Sequence, residues 1–151
     1  MGYMKMSKAL RLVTADFLLF IGAGAILCGM MFIVSPDGSR LSMTVDLLKD
    51  SPFKDFFIPG IILLAANGVL SIIAALLLFF NYRYAGVGVL LLGAVMLIWI
   101  GAQVYWIGWQ SWLQMAFMGV GLIEMLIGFL LEARYHNNWK SFSGRHDSHA
   151  H

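Results

Sequence analysis

The chain has 151 residues, 60% of them hydrophobic and 12% charged, with a formal net charge of +2. A soluble domain averages roughly 45–50% apolar and about 25% charged residues, so a water-soluble globule is excluded. The single Cys28 cannot form an internal disulfide, and long apolar runs rule out a disordered or collagen-like chain, which leaves an integral membrane protein. No basic cluster is present that would call for nucleic acid as a partner.

Crossing the roughly 30 Å hydrocarbon core takes about 20 apolar residues at about 1.5 Å each. Four segments meet that length, at about 9–34, 56–80, 85–108 and 112–132. The first follows Lys5 and Lys8, holds Arg11 and Asp16 near its start, and is uncharged from Phe17 to Val34. Its apolar run exceeds the about 7–15 residues of a secretion-signal core, and no small-x-small cleavage site precedes Ser35 and Pro36, so it reads as a span. Met6 stands where a myristoylation signal needs Ser or Thr. Asp16 lies within reach of Arg11 or Lys8 for a local ion pair, and Cys28 reads as a packing residue.

The loop at 35–55 predicts a short interfacial helix, because Leu41, Val45 and Leu48 recur at helical spacing after Ser39 or Ser42 as a cap. Ser51-Pro52 ends it, and Pro59 falls in the first turn of the second span, where its missing amide hydrogen costs nothing. The second, third and fourth spans contain no Lys or Arg. Residues 136–151 form a flexible tail with His136, His146, His149 and His151. Such a density of imidazoles can bind zinc, copper or nickel, but a tail supplies no second shell to hold the ligands, so it reads as a solvated segment without a metal site.

Orientation follows from Lys and Arg. Lys5, Lys8, Arg11, Arg83, Arg134, Lys140 and Arg145 fall on the side of the termini and the turn near Arg83, against Arg40, Lys49 and Lys54 in the long loop. The fold class is therefore all-α, a four-transmembrane-helix bundle over residues 1–135 with both termini cytoplasmic, in a bacterial inner membrane. Tyr82, Tyr84, Tyr105, Trp106, Trp109, Trp112 and Tyr135 fall at the water interfaces, where rings with one polar edge settle.

Small residues recur at steps of seven or eight: Ala15, Gly22 and Gly29; Gly60, Asn67 and Ala74; Gly86, Gly93, Gly101 and Gly108; Gly121 and Gly128. In lipid such residues mark close helix contacts, here in a left-handed antiparallel bundle. Glu124 falls midway along the fourth span, where an ionised carboxylate is costly, and Asn67 near the middle of the second. Sharing faces with glycines, both point inward and form an intramembrane polar site. Glu124 either binds a proton or cation during transport, or serves as polar glue bonded to Asn67 or a neighbouring subunit. Gln103 shares a face with Trp99 and Trp106, which either line a cavity for a lipid headgroup or amphipathic ligand or anchor the interface.

Nucleotide-binding, zinc-protease and nucleophile-elbow motifs are missing, as is an intramembrane histidine for haem, so neither an enzyme nor a cofactor is expected. The string Ser51-Pro52-Phe53-Lys54-Asp55-Phe56-Phe57-Ile58-Pro59-Gly60, then Asn67-Gly68, Trp99, Gln103, Leu113-Gln114 and Gly121, resembles a widespread group of small bacterial four-helix membrane proteins of uncharacterised function. The resemblance covers roughly residues 41 to 125, implies a compact four-span inner-membrane protein, and carries no catalytic residue over. The leading expectation is an accessory or structural component that forms a homo-oligomer or docks on a membrane-protein partner through its glycine faces. The alternatives are a small proton-coupled transporter or channel using Glu124 and Asn67, and a binder of lipid or another hydrophobic ligand.

Overall fold

A computed structural model of the chain describes the backbone of residues 2–146 and the side chains of residues 8–137. Helix α1 runs Gly2–Val34, α2 covers Phe57–Phe79, α3 is Ala85–Ile107 and α4 is Trp112–His146. Each contains a stretch long and apolar enough to cross a membrane, with the stretches of α1 and α4 at Lys8–Val34 and Trp112–Asn137. Helix α4 continues to His146, through the first part of the expected tail, while His149 and His151 lie outside the described residues.

Local chemistry sets the helix ends. The carboxylate of Asp55 accepts the Phe57 amide at 3.0 Å, and Pro59 takes its place in the first turn of α2. At the start of α4, Ser111 Oγ accepts the Leu113 amide at 3.2 Å while Gln114 Oε1 accepts the Ser111 and Gln110 amides at 3.3 and 2.8 Å. This Ser-x-x-Gln arrangement satisfies amides that a helix start leaves bare.

The helices form two tightly closed hairpins, α1 with α2 and α3 with α4, each joined at glycines. A Cβ on Gly29 would stand 2.8 Å from the carbonyl oxygen of Gly60, and one on Gly93 2.6 Å from that of Gly121. The hairpins meet mainly along α2 and α3, α1 touches α4 at few places, and the backbones of the diagonal helices α2 and α4 do not approach within 8 Å, Cα to Cα, among the described residues. The core gathers Ala15 and Leu18, Ala74, Ala75 and Leu78, and Ala85, Val89 and Leu92 near the end that holds the termini. Phe20, Ile98, Leu122 and Phe129 stand exposed around the outside, as lipid-facing residues would.

The interfacial helix expected in the long loop is replaced by two 3₁₀ turns, Ser39–Leu41 and Val45–Leu48. Left-handed backbone at Gly38 (φ 80°) and Ser42 (φ 56°), then extended backbone at Thr44, interrupts any continuous helix. Of the three apolar residues that suggested the helix, only Leu48 is buried. The Phe56 amide donates to the Pro36 carbonyl at 2.9 Å and fastens the loop across the top of α2.

The ion pair expected for Asp16 is not formed. Arg11 instead donates to the Asn81 side chain, bridging α1 to the turn between α2 and α3, and Asp16 stays exposed.

Candidate functional site

Trp99, Gln103 and Trp106 are separated by four and three residues, so α3 presents them on one face. At the loop end of the bundle they line one cavity of about 90 Å³ together with Pro59 and Leu63 of α2 and Phe32 of α1. The loop roofs it with Leu48, Phe53 and Phe56. Phe56 stacks on Phe32 with centroids 4.9 Å apart at 14°, and Phe53 meets Trp106 edge-on at 5.8 Å and 87°. These contacts hold loop, α1 and α3 around one space and turn Trp106 inward, whereas its belt neighbour Tyr105 is 84% exposed.

The lining is almost wholly apolar. The Ser51 hydroxyl is spent on the Leu48 carbonyl at 2.8 Å, which leaves the Gln103 amide and the indole N–H groups of Trp99 and Trp106 as the lining's available hydrogen-bonding side-chain groups. The sequence pattern had singled out the three α3 residues but not Phe32, Phe53 or Phe56. The aromatic-rich string Phe53-Lys54-Asp55-Phe56-Phe57 is the signal for Phe53 and Phe56, and Phe32 has none.

Deeper in the bundle, Asn67 is 0% and Glu124 1% exposed. The expected hydrogen bond between them is absent: both side-chain amide atoms of Asn67 and both carboxyl oxygens of Glu124 lack a partner among the described residues. The cause is architectural, because the two sit on the diagonal helices α2 and α4. They are also out of register. Packing of Leu77 near Gly88, and of Gly93 against Gly121 and Met125, sets Asn67 and Glu124 about six residues apart along the axis, or roughly 9 Å.

Asn67 lies in a stretch that sequence reasoning did not foresee, since Leu63–Val69 is π-helical. The Leu70 amide reaches back five residues to the Ala65 carbonyl, and the Ser71 hydroxyl donates to the Asn67 carbonyl at 2.5 Å. A π-helical turn keeps its backbone groups paired through bonds five residues back and so can lie within a membrane span, and such turns concentrate at functional sites. Gly68 lets α1 approach this turn closely, for a Cβ there would stand 2.6 Å from Ile26.

Other titratable groups lie apart from these sites. Glu132 pairs with His136 at 3.4 Å, Cys28 is half-buried, and no group of three or more His, Cys, Asp or Glu among the described residues is placed to hold a metal. In the loop, Asp37 accepts the Ser39 hydroxyl at 2.8 Å and its amide at 3.2 Å, which holds the Asp37 carboxyl below its ordinary range.

Comparison with known proteins found no protein family, no curated protein and no solved structure that matches the chain. The resemblance over roughly residues 41 to 125 thus rests on the residues that carry it, Ser51 to Gly60 with Asn67-Gly68, Trp99, Gln103, Leu113-Gln114 and Gly121.

Proposed function

We propose that this is a multi-pass protein of a bacterial inner membrane, with both termini inside, that binds an amphiphile by its apolar arm at the loop end of the bundle. The observation that carries this reading is the convergence of Trp99, Gln103 and Trp106 with Phe32, Phe53 and Phe56 on one cavity. The orientation is supported by the excess of Lys and Arg on the side of the termini.

Lipid tails are as apolar as the cavity wall, so moving an alkyl arm from bilayer to cavity gains little hydrophobic free energy. Selectivity then comes from shape, from the ring edges and faces, and from Gln103, whose hydrogen bond is strong in a medium of low dielectric. The ligand class that satisfies all three carries a carbonyl or hydroxyl beside an apolar arm. At about 90 Å³ the space is smaller than the roughly 150 Å³ apolar void that accepts benzene, so it holds one end of such a molecule.

An accessory role through glycine faces has less structural support, because those faces are largely used within the chain. Gly22, Gly29, Gly60 and Gly68 close one hairpin, and Gly86, Gly93, Gly121 and Gly128 close the other. Native mass spectrometry of protein extracted gently from its own membrane tests the binding reading. One amphiphile retained per chain, and lost in Trp106→Ala, is the expected result; bare protein, or equal retention by the variant, refutes it.

A further inference from the structure

We infer that Glu124 is a proton-binding site on the seam between the two hairpins, a property separate from the cavity and independent of what the cavity binds. Glu124 shares its face of α4 with Ile127 and Leu131, three and seven residues on, and these pack against the core built by α1, α2 and α3. Gly121 and Gly128, three residues before it and four after, pack against α3, so the carboxyl lies in the bundle interior between α3 and the α1–α2 hairpin, and neither of its oxygens has a partner among the described residues.

The chemistry of the surroundings selects the ligand. A hard cation such as calcium or magnesium requires several oxygen ligands, whereas Asn67 is about six residues away along the axis on the diagonal helix and the buried Ser71 hydroxyl is spent on the Asn67 carbonyl. A proton needs only one carboxylate oxygen. The step is a simple exchange, in which the carboxylate takes a proton from water to form one O–H bond and returns it by breaking that bond, with nothing oxidised or reduced.

Among the described residues no neighbouring charge takes over this role. From Phe57 to Phe79, α2 has no ionisable side chain, and α3 has only the exposed Tyr105. Helix α1 brings Lys8 and Asp16, both exposed, Arg11, turned to Asn81, and Cys28, half-buried toward the loop end. On α4 itself Glu132, Arg134, Tyr135 and His136 lie two or more turns toward the terminus, with Glu132 paired to His136. Ionised Glu124 has no counter-ion among these groups, so water must reach it to stabilise the charge.

Infrared spectroscopy of the protein reconstituted in liposomes tests this by following the protonated-carboxyl stretch from about pH 4 to about pH 9, a range that spans exposed and buried carboxyls. The expected result is a band that loses more than about half its intensity across that range, survives in Glu132→Gln and is missing from Glu124→Gln. A Glu124-dependent band that stays constant marks a permanently neutral structural group and overturns the inference. So does the lack of any Glu124-dependent band. Should Glu124→Gln fail to fold, wild-type protein is treated with dicyclohexylcarbodiimide and the adduct located by peptide mass. An adduct at Glu124 that abolishes the titrating band supports the site, whereas a titrating band left intact by that adduct overturns it.

Discussion

Gly93 of α3 lies so close against Gly121 of α4 that a Cβ on the first would stand 2.6 Å from the backbone oxygen of the second. Because that neighbour is backbone, it cannot swing aside, and Gly93→Ala must push the helices apart. Overpacking of this kind costs about 1–3 kcal/mol. Gly101, eight residues along the same helix, meets nothing within 4 Å, so Gly101→Ala gains helix propensity without a clash. Thermal unfolding in detergent should show Gly93→Ala melting below the wild-type protein and Gly101→Ala at or above it. Equal melting of the two variants would sink the claim that the hairpins are welded at these glycines.

The cavity makes a prediction about ligand chemistry. Gln103→Leu keeps the lining's approximate volume but removes its available amide, while Ala102→Leu adds bulk to the lining and leaves the amide. If the bound molecule carries a hydrogen-bonding group, Gln103→Leu should exchange it for plain hydrocarbon ligands or lose it, weakening retention by about tenfold, equivalent to about 1.4 kcal/mol. Ala102→Leu should exclude all occupants alike. Lipid extracts of the purified variants distinguish the two effects, and an unchanged ligand profile in Gln103→Leu would leave the amide without a role in selection.

Much of this arrangement is legible in the sequence because membrane spans are dictated by length and composition. The ends of α2 and α3, the placement of Pro59 and the inward direction of Asn67 and Glu124 follow from apolar runs and from helical spacing among glycines. So does the shared face of Trp99, Gln103 and Trp106. The Ser111–Gln114 cap is also readable, as a Ser-x-x-Gln signature. What spacing does not encode is which helices are diagonal, and for that reason the expected bond from Glu124 to Asn67 would have to cross between helices whose backbones do not closely approach. Composition does not mark the π-helical stretch at Leu63–Val69 either, since a change in hydrogen-bond register alters no side chain. The cavity roof depends on the tie from Phe56 to Pro36, made between residues 20 apart in sequence, and the left-handed Ser42 that breaks the loop helix is unusual for a residue other than glycine.

Asn81 occupies left-handed backbone at φ 53° and also accepts the Arg11 side chain. Two substitutions separate these roles. Asn81→Gly loses only the acceptor, an exposed contact worth well under about 1 kcal/mol, whereas Asn81→Ala also places a Cβ in a conformation that costs roughly 1–2 kcal/mol. The expected order of melting temperature is wild type, then Asn81→Gly, then Asn81→Ala. If Asn81→Ala matches or exceeds Asn81→Gly, the turn does not need its left-handed residue.

The loop that roofs the cavity should respond to acid through Asp37. Its carboxylate accepts two hydrogen bonds from Ser39, side chain first and backbone second, and these favour the ionised form, so the folded-state value lies below that of the unfolded chain. The sign follows from linkage: the unfolded chain binds the proton more readily, so the stabilisation is complete above the unfolded value near about pH 4 and fades as pH falls through the lower folded value. Asp37 is fully exposed, so the effect is confined to the loop and weakens in high salt. Ser39 and Gly38 begin the turn that sets Gly38 against Phe56, where a Cβ would stand 2.9 Å from the ring, so loosening it frees the Phe56 side of the roof. Limited proteolysis of the loop should therefore cut Asp37→Ala faster than wild type at about pH 6, with the two rates converging at about pH 3 in an acid-active protease. A rate difference that persists undiminished at the lower pH would show that the Asp37 charge does not hold the turn.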